Sequence, residues 1–241
     1  MNSRSLIPLL LLLTTLAQLV RAYPEPGKFL RTDDLDVTKV IPAAPADNSL
    51  ATATDIETVY QVQKRRTPEM VALANYFAED SVFQYDAVIG AWFTAANLPR
   101  TAEFFLQIDS DRYAISSKGK QVWQRPRPPL LDSRIKPCVH LPKSGSYPSG
   151  HSTQAFLWAN LLAEIFPEHR EALRDRAELV AWSRIIGGVH YPTDITAGRM
   201  LGDRLAAEFL KRSAVREALA DVIAEVRRVS SKEQDAAAVT P

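Results

Sequence analysis

The sequence predicts an all-α fold, a single-domain helical bundle of about seven or eight helices. Three observations predict it. Apolar residues recur at helical spacing, as in Met70, Leu73, Ala74 and Phe77. Helix-start signals precede such runs, and the alternating Val-, Ile- and Thr-rich stretches that mark strands are nearly absent. A composition 46% hydrophobic and 24% charged suits a folded globular chain rather than a disordered one.

The elements follow in order. Met1 to Ala22 opens with Arg4, runs fifteen uncharged residues from Leu6 to Val20, and closes on the small-x-small site Val20-Arg21-Ala22. That pattern reads as a secretory signal peptide cleaved after Ala22. Its apolar run falls short of the ~20 residues a membrane-spanning helix needs. Residues 23–55 hold Pro24, Pro26, Pro42 and Pro45 with little periodicity, and read as an extended arm that lies on the domain or is partly mobile. The helical domain is expected over residues 56–229. Thr67-Pro68-Glu69 supplies a cap, a first-turn proline and an acid at the positive helix end. Thr101 is read as the cap of a helix carrying Phe104, Phe105 and Ile108 to about Trp123. Ser152 starts the run Ala155 to Phe166, Pro167 separates it from a helix to about Ile186, and another spans about Asp194 to Lys211. Ser213 caps the last, Val215 to Val229, and the polar tail 230–241 is expected to fray.

Composition excludes several classes. Lys+Arg 29 against Asp+Glu 28 leaves a net charge of +1, so no bulk basicity supports a nucleic-acid partner. The single cysteine, Cys138, rules out an intramolecular disulfide framework or a thiolate metal cluster. Beyond the leader no stretch reaches eighteen apolar residues; the best, Ala155 to Phe166, contains Asn160 and Glu164. A mature protein without a membrane span, in an exported compartment, is the expectation.

Three separated clusters carry the chemistry: Lys118-x6-Arg125-Pro126, then Pro148-Ser149-Gly150-His151, then Ser183-Arg184-x5-His190-x3-Asp194. Each alone is ordinary. Two spaced cations on a helix usually make a solvated face, Pro-Ser-Gly is usually a turn and a cap, and a His four before an Asp is commonly a local hydrogen bond. Together they place two of the four histidines in one ordered set. Lys118, Arg125 and Arg184 offer positive charge, with guanidinium forks suited to phosphate oxygens. Ser149 and Gly150 stand at a helix start, where free N–H groups and the dipole favour an anion. Such a set stabilises the charge that a transferring phosphoryl group spreads over its oxygens. His190, held in one tautomer by Asp194, is the candidate nucleophile, and His151 the acid and base for the leaving oxygen and the incoming water. The pair implies a bell-shaped pH profile on the acidic side.

The pattern K-x6-RP, PSGH, SR-x5-H-x3-D resembles the signature of the PAP2 superfamily, which contains bacterial acid phosphatases, lipid-phosphate phosphatases and vanadium haloperoxidases. The string Gly145-Ser146-Tyr147-Pro148-Ser149-Gly150-His151-Ser152 is similar to the class A non-specific acid phosphatases, with Ser152 where Thr is usual. The resemblance runs from about Tyr60 to Val229 and implies a helical bundle. It implies phosphate binding by Lys118, Arg125, Ser149, Gly150 and Arg184, with His190 as nucleophile, His151 as acid and base, and Asp194 as orienting carboxylate. Class A members are periplasmic, metal-independent and often oligomeric. The implied protein is therefore an exported phosphatase of small-molecule phosphate monoesters with no cofactor or metal, for which a homo-oligomer stays open and phosphotransfer to an alcohol is a side activity.

Two departures stand out. Gly187 occupies a place where several relatives carry a Cys paired near the position of Cys138, so Cys138 is expected to be a small buried residue, with a bridge to another chain as the alternative. Arg127 stands where relatives tend to carry an aromatic, which puts substrate preference in doubt. The rival readings are a lipid-phosphate phosphatase, normally built on membrane spans; a vanadium haloperoxidase, normally much longer; and a non-catalytic phosphate-binding module, which has no use for His190 with Asp194.

Overall fold

The computed structural model describes residues 24–239; the expected signal peptide, 1–22, lies outside them. The described residues are helical, with no strand among them. Helix α1 spans Leu50–Lys64, α2 Pro68–Tyr76, the one-turn α3 Asp86–Ile89, and the long α4 Pro99–Trp123. A second one-turn helix, α5, covers Pro128–Leu131. Then come α6 at Gly150–Ile165, α7 at Arg170–Ile186, α8 at Pro192–Lys211 and α9 at Ser213–Val239.

Helix α6 is the axis of the bundle. Ala155 through Ala159 and Leu161 through Ala163 are all buried, so the helix is apolar around nearly its whole circumference and must be enclosed. It packs most extensively against α8 and α7. Glycine makes the α8 contact close: a Cβ on Gly202 would stand 2.5 Å from the Thr153 carbonyl oxygen, and one on Gly198 2.7 Å from that of Ser149. This backbone approach ties the start of α8 to the start of α6, where two of the three sequence clusters lie.

Several expected boundaries move, each for a physical reason. Thr67 caps α2 as read, accepting from the Met70 N–H. Thr101 does not cap α4, which begins at Pro99. The cap comes from α9: the Glu225 carboxylate accepts the N–H groups of Arg100 at 3.0 Å and Thr101 at 2.9 Å, plus the Thr101 hydroxyl at 2.8 Å. An anion at the positive end of the helix replaces a local cap. The last helix starts at Ser213 and runs to Val239, through the segment expected to fray.

The Pro-rich arm is fastened down. Buried Asp111 on α4 accepts the backbone N–H groups of Gly27, Phe29 and Leu30 at 2.7, 2.8 and 2.9 Å. Leu30, Leu35, Val37 and Ile41 enter the core, each burial contributing about 1.5–3 kcal/mol. The arm's expected end at residue 55 falls inside α1, which Ser49 caps by accepting from the Thr52 N–H.

Candidate active site

Helix α4 and the segment after it, the start of α6, and the end of α7 with the turn that follows it converge on a cavity of about 230 Å³. It is lined by Lys120, Arg127, Gly150, His151, Arg184 and His190, with Asp80, Arg112 and Gln154 on its wall. Gly150 is the first residue of α6, whose opening N–H groups have no partner within the helix. Ser149 is fully buried and caps that helix, its hydroxyl accepting from the Ser152 N–H at 3.3 Å. Helix α7 delivers Arg184 in its last turn. Gly188, at φ 74°, then bends the chain in a left-handed conformation open to glycine and brings His190 back toward the cavity.

His190 is clamped from both sides. Its Nδ1 lies 3.0 Å from Asp194 Oδ2 and its Nε2 3.1 Å from Arg127 Nη1. A carboxylate can only accept and a guanidinium can only donate, so these partners fix the tautomer: Nδ1 carries the proton and Nε2 presents its lone pair. Burial, reinforced by Arg127 and Lys120, pushes the His190 pKa well below the ordinary value and keeps the ring neutral.

Asp194 is positioned in turn. Its Oδ2 also accepts the Tyr191 N–H at 3.0 Å, a capping contact at the start of α8. Its Oδ1 accepts from Arg125 Nη1 at 2.7 Å. Burial pushes this carboxyl upward and the Arg125 charge opposes it. Arg125 lies 3.9 Å over the Tyr191 ring, also binds Thr193 Oγ1 and Thr52 Oγ1, and pairs with Asp55 Oδ2 at 3.1 Å.

The first cluster therefore needs correction. Of its residues, Lys118 points away, donating to Thr32 O and Asp33 with its side chain 44% exposed. Arg125 stands behind Asp194 rather than in the cavity. The sequence contains the same spacing again two residues later, Lys120-x6-Arg127-Pro128, and that pair lines the cavity. Lys120 Nζ donates to the carbonyls of Gly145 at 2.9 Å and Pro148 at 2.7 Å. Arg127 donates to Ser144 O at 2.9 Å and Val189 O at 2.8 Å. So Arg127 is a member of the cationic ring, not a substitution on its leaving-group side. Position on α4 does not separate the two registers, because Lys118 follows buried Asp111 and Ile115 at helical spacing just as Lys120 follows buried Arg112 and Ser116; only the side-chain contacts do.

The cations are paired mostly to neutral carbonyls or to nothing. Among the described residues, Arg184 Nε and Nη1 are buried without a hydrogen-bond partner. Oriented guanidinium donors without a counter-ion are what an incoming anion requires. Burial lowers the Arg184 and Arg127 pKa values to about 10, leaving both charged at neutral pH. Lys120 drops to about 7, through burial first and Arg127 second. Above that pH the empty cavity loses one charge. Sulfate, whose charge is constant across the neutral range, is thus expected to bind about threefold to tenfold more weakly at about pH 8.5 than at about pH 6 by calorimetry. Lys120→Met should bind weakly and without that pH dependence; equal wild-type affinity at both pH values would contradict the assignment.

His151 Nε2 lies 3.4 Å from both Ala78 O and Asp80 Oδ1. Burial and the Arg184 charge lower its pKa to about 3, while burial raises that of Asp80. Asp80 and Arg112 carried no sequence motif and escaped the sequence reading. Cys138 is free and partly exposed rather than buried, its N–H donating to the Gly187 carbonyl at 3.1 Å. Among the described residues no group of three or more His, Cys, Asp or Glu is placed to hold a metal ion.

Residues 112–215 match the sequence profile of the PAP2 superfamily. The chain carries a PAP2 superfamily domain. Its matched segment includes Lys120, Arg127, both cavity histidines and Asp194. The chain is 30% identical over 166 residues to an acid phosphatase of Zymomonas mobilis, covering 65% of this chain and 62% of that protein. It is 27% identical over 227 residues to a non-specific acid phosphatase of Salmonella typhimurium, covering 89% and 88%. Among solved structures, a bacterial vanadium-dependent iodoperoxidase superposes with a TM-score of 0.59 at 20% identity, over 74% of this chain and 54% of that one. A transmembrane PAP2-type phosphatidylglycerolphosphate phosphatase from Bacillus subtilis gives 0.51 at 22% identity, over 68% and 87%. At these identities the structural likenesses concern the fold. No helix among the described residues is long and apolar enough to cross a membrane.

Proposed function

We propose that this PAP2 protein is an exported, metal-independent acid phosphatase that hydrolyses phosphate monoesters through a phosphohistidine on His190. One observation carries the proposal: a neutral imidazole, pinned between Asp194 and Arg127, aims its Nε2 lone pair into a cavity ringed by cations. The acid phosphatase relatives and the leader sequence support the reading, the latter pointing to the periplasm.

An entering phosphoryl group draws Arg127 from His190 Nε2 onto its own oxygens and occupies the free donors of Arg184, the Lys120 ammonium and the first N–H groups of α6. His190 Nε2 attacks phosphorus: the N–P bond forms, the ester P–O bond breaks, and the leaving oxygen takes a proton from His151. A water then attacks the phosphohistidine and gives its proton to His151, and the N–P bond breaks to release phosphate. Asp194 stabilises the cationic ring that forms in between.

The same arrangement explains an acid preference. In the empty cavity His151, at about 3, is neutral. A bound phosphate offsets the Arg184 charge that depresses it, and a monoanionic ester, abundant below about pH 6, brings the proton that His151 needs. Turnover with an aryl phosphate in excess EDTA tests the proposal. Activity is expected to survive EDTA, to be blocked by vanadate, and to decline as pH rises above about 6; dependence on an added divalent metal would refute it.

A further inference from the structure

A second cleft of about 70 Å³ adjoins the phosphate cavity, the two sharing Asp80 as a common wall. Val82, Phe83, Phe105 and Leu106 make its sides apolar. Four polar residues line it, Asp80, Ser81, Asp109 and Trp158, and the last two each carry a buried atom with no hydrogen-bond partner among the described residues. Trp158, 6% exposed, offers the Nε1 donor, and Asp109, 2% exposed, offers the Oδ2 acceptor. Buried polar atoms are normally satisfied, so an orphaned donor and an orphaned acceptor in one cleft ask for an occupant.

The rest of Asp109 shows why its second oxygen stays available. Oδ1 takes Arg112 Nε at 2.8 Å, Arg112 Nη2 at 2.6 Å and Gln154 Nε2 at 2.9 Å. Those contacts tie the carboxylate to two residues of the phosphate-cavity wall through Oδ1 and leave Oδ2 without a partner. The location is informative too. The leaving oxygen must lie at His151, His151 lies 3.4 Å from Asp80, and the cleft opens across Asp80. A water needs about 10–15 Å³, so this space admits a short chain.

We infer that the cleft is the subsite for the alcohol half of the ester, built for a short neutral chain bearing a hydroxyl that donates to Asp109 and accepts from Trp158. This inference rests on the phosphatase reading and adds a substrate class to it. A hydroxyl suits the site because it both donates and accepts, whereas the apolar walls cover the carbon skeleton. Larger or anionic leaving groups gain nothing from it.

The test compares glycerol 1-phosphate with propyl phosphate, which share a three-carbon skeleton and differ by hydroxyls. Wild type is expected to show at least about tenfold higher kcat/KM for the glycerol ester, whose hydroxyl makes one neutral hydrogen bond to Trp158 and one to the Asp109 carboxylate. Trp158→Phe, which removes the N–H and keeps an aromatic ring, should cost about fivefold on the glycerol ester and leave the propyl ester within about twofold. Ala102→Leu, which fills the cleft from its wall, should lower both esters by about tenfold without changing inhibition by inorganic phosphate. Equal effects of Trp158→Phe on both esters, or a neutral Ala102→Leu, would overturn the subsite while the phosphatase stands. A wild type that hydrolyses neither ester would overturn the phosphatase reading and the subsite with it.

Discussion

His190→Ala is expected to lower kcat by on the order of 10⁴ or more, while phosphate affinity changes by less than about threefold. The asymmetry follows from what the imidazole touches. Its Nε2 meets one guanidinium nitrogen of Arg127, and the charges of Arg127, Lys120 and Arg184 remain when the ring is removed. Anion binding is expected to persist, whereas the proposed attacking atom is gone. Asp194→Asn acts through the same ring and is expected to cost about 10²–10⁴ in kcat, because an amide no longer dictates which imidazole nitrogen holds the proton. The double variant should be no slower than His190→Ala alone, since the carboxylate has no function without its histidine. Steady-state kinetics with an aryl phosphate and calorimetry with inorganic phosphate check both parts. A His190→Ala enzyme that keeps a tenth of its turnover would remove the nucleophile from the account.

The second large effect separates two overlapping motifs. Lys120→Met and Arg127→Ala should each reduce kcat/KM by about 10²–10³, the usual cost of removing one oriented donor from a transition-state anion. Lys118→Met should stay within about twofold, since its partners are Thr32 O and Asp33 on the arm and its side chain is half exposed. Arg125→Ala should behave differently from all three. It strands Asp194 and Asp55, both buried, without their cation, and a broken buried pair costs about 3–5 kcal/mol in stability. The expected signature is a lowered thermal midpoint accompanying a rate loss inherited from His190. Wild-type activity in Arg127→Ala, or a large rate loss in Lys118→Met, would reverse the register.

Much of the bundle was legible because its signals are local. The apolar circumference of α6, the Thr67 cap and the proline before α7 are written in neighbouring residues. The start of α4 was not, because its capping carboxylate is Glu225, contributed by α9 from 124 residues away. The arm looked loose for a similar reason: its backbone N–H groups find Asp111 some 80 residues on. The three clusters were visible as types and spacings, and the structure places His151, Arg184, His190, Asp194 and Gly150 near one another. The choice between Lys118 with Arg125 and Lys120 with Arg127 was not, because spacing is identical in both and only contacts made across the fold decide. Asp80 and Asp109 were invisible, since a lone carboxylate acquires meaning only from what a distant helix places beside it.

The central claim is that a covalent bond forms between phosphorus and one particular nitrogen. The direct measurement is acid-free quenching of the enzyme during turnover of a ³²P-labelled aryl phosphate, followed by peptide mapping. The label is expected on the peptide containing His190, stable to base, lost in acid, and absent from His190→Ala. Label on the His151 peptide, or a fully active enzyme that never carries label under conditions where turnover is accumulating product, would contradict the account.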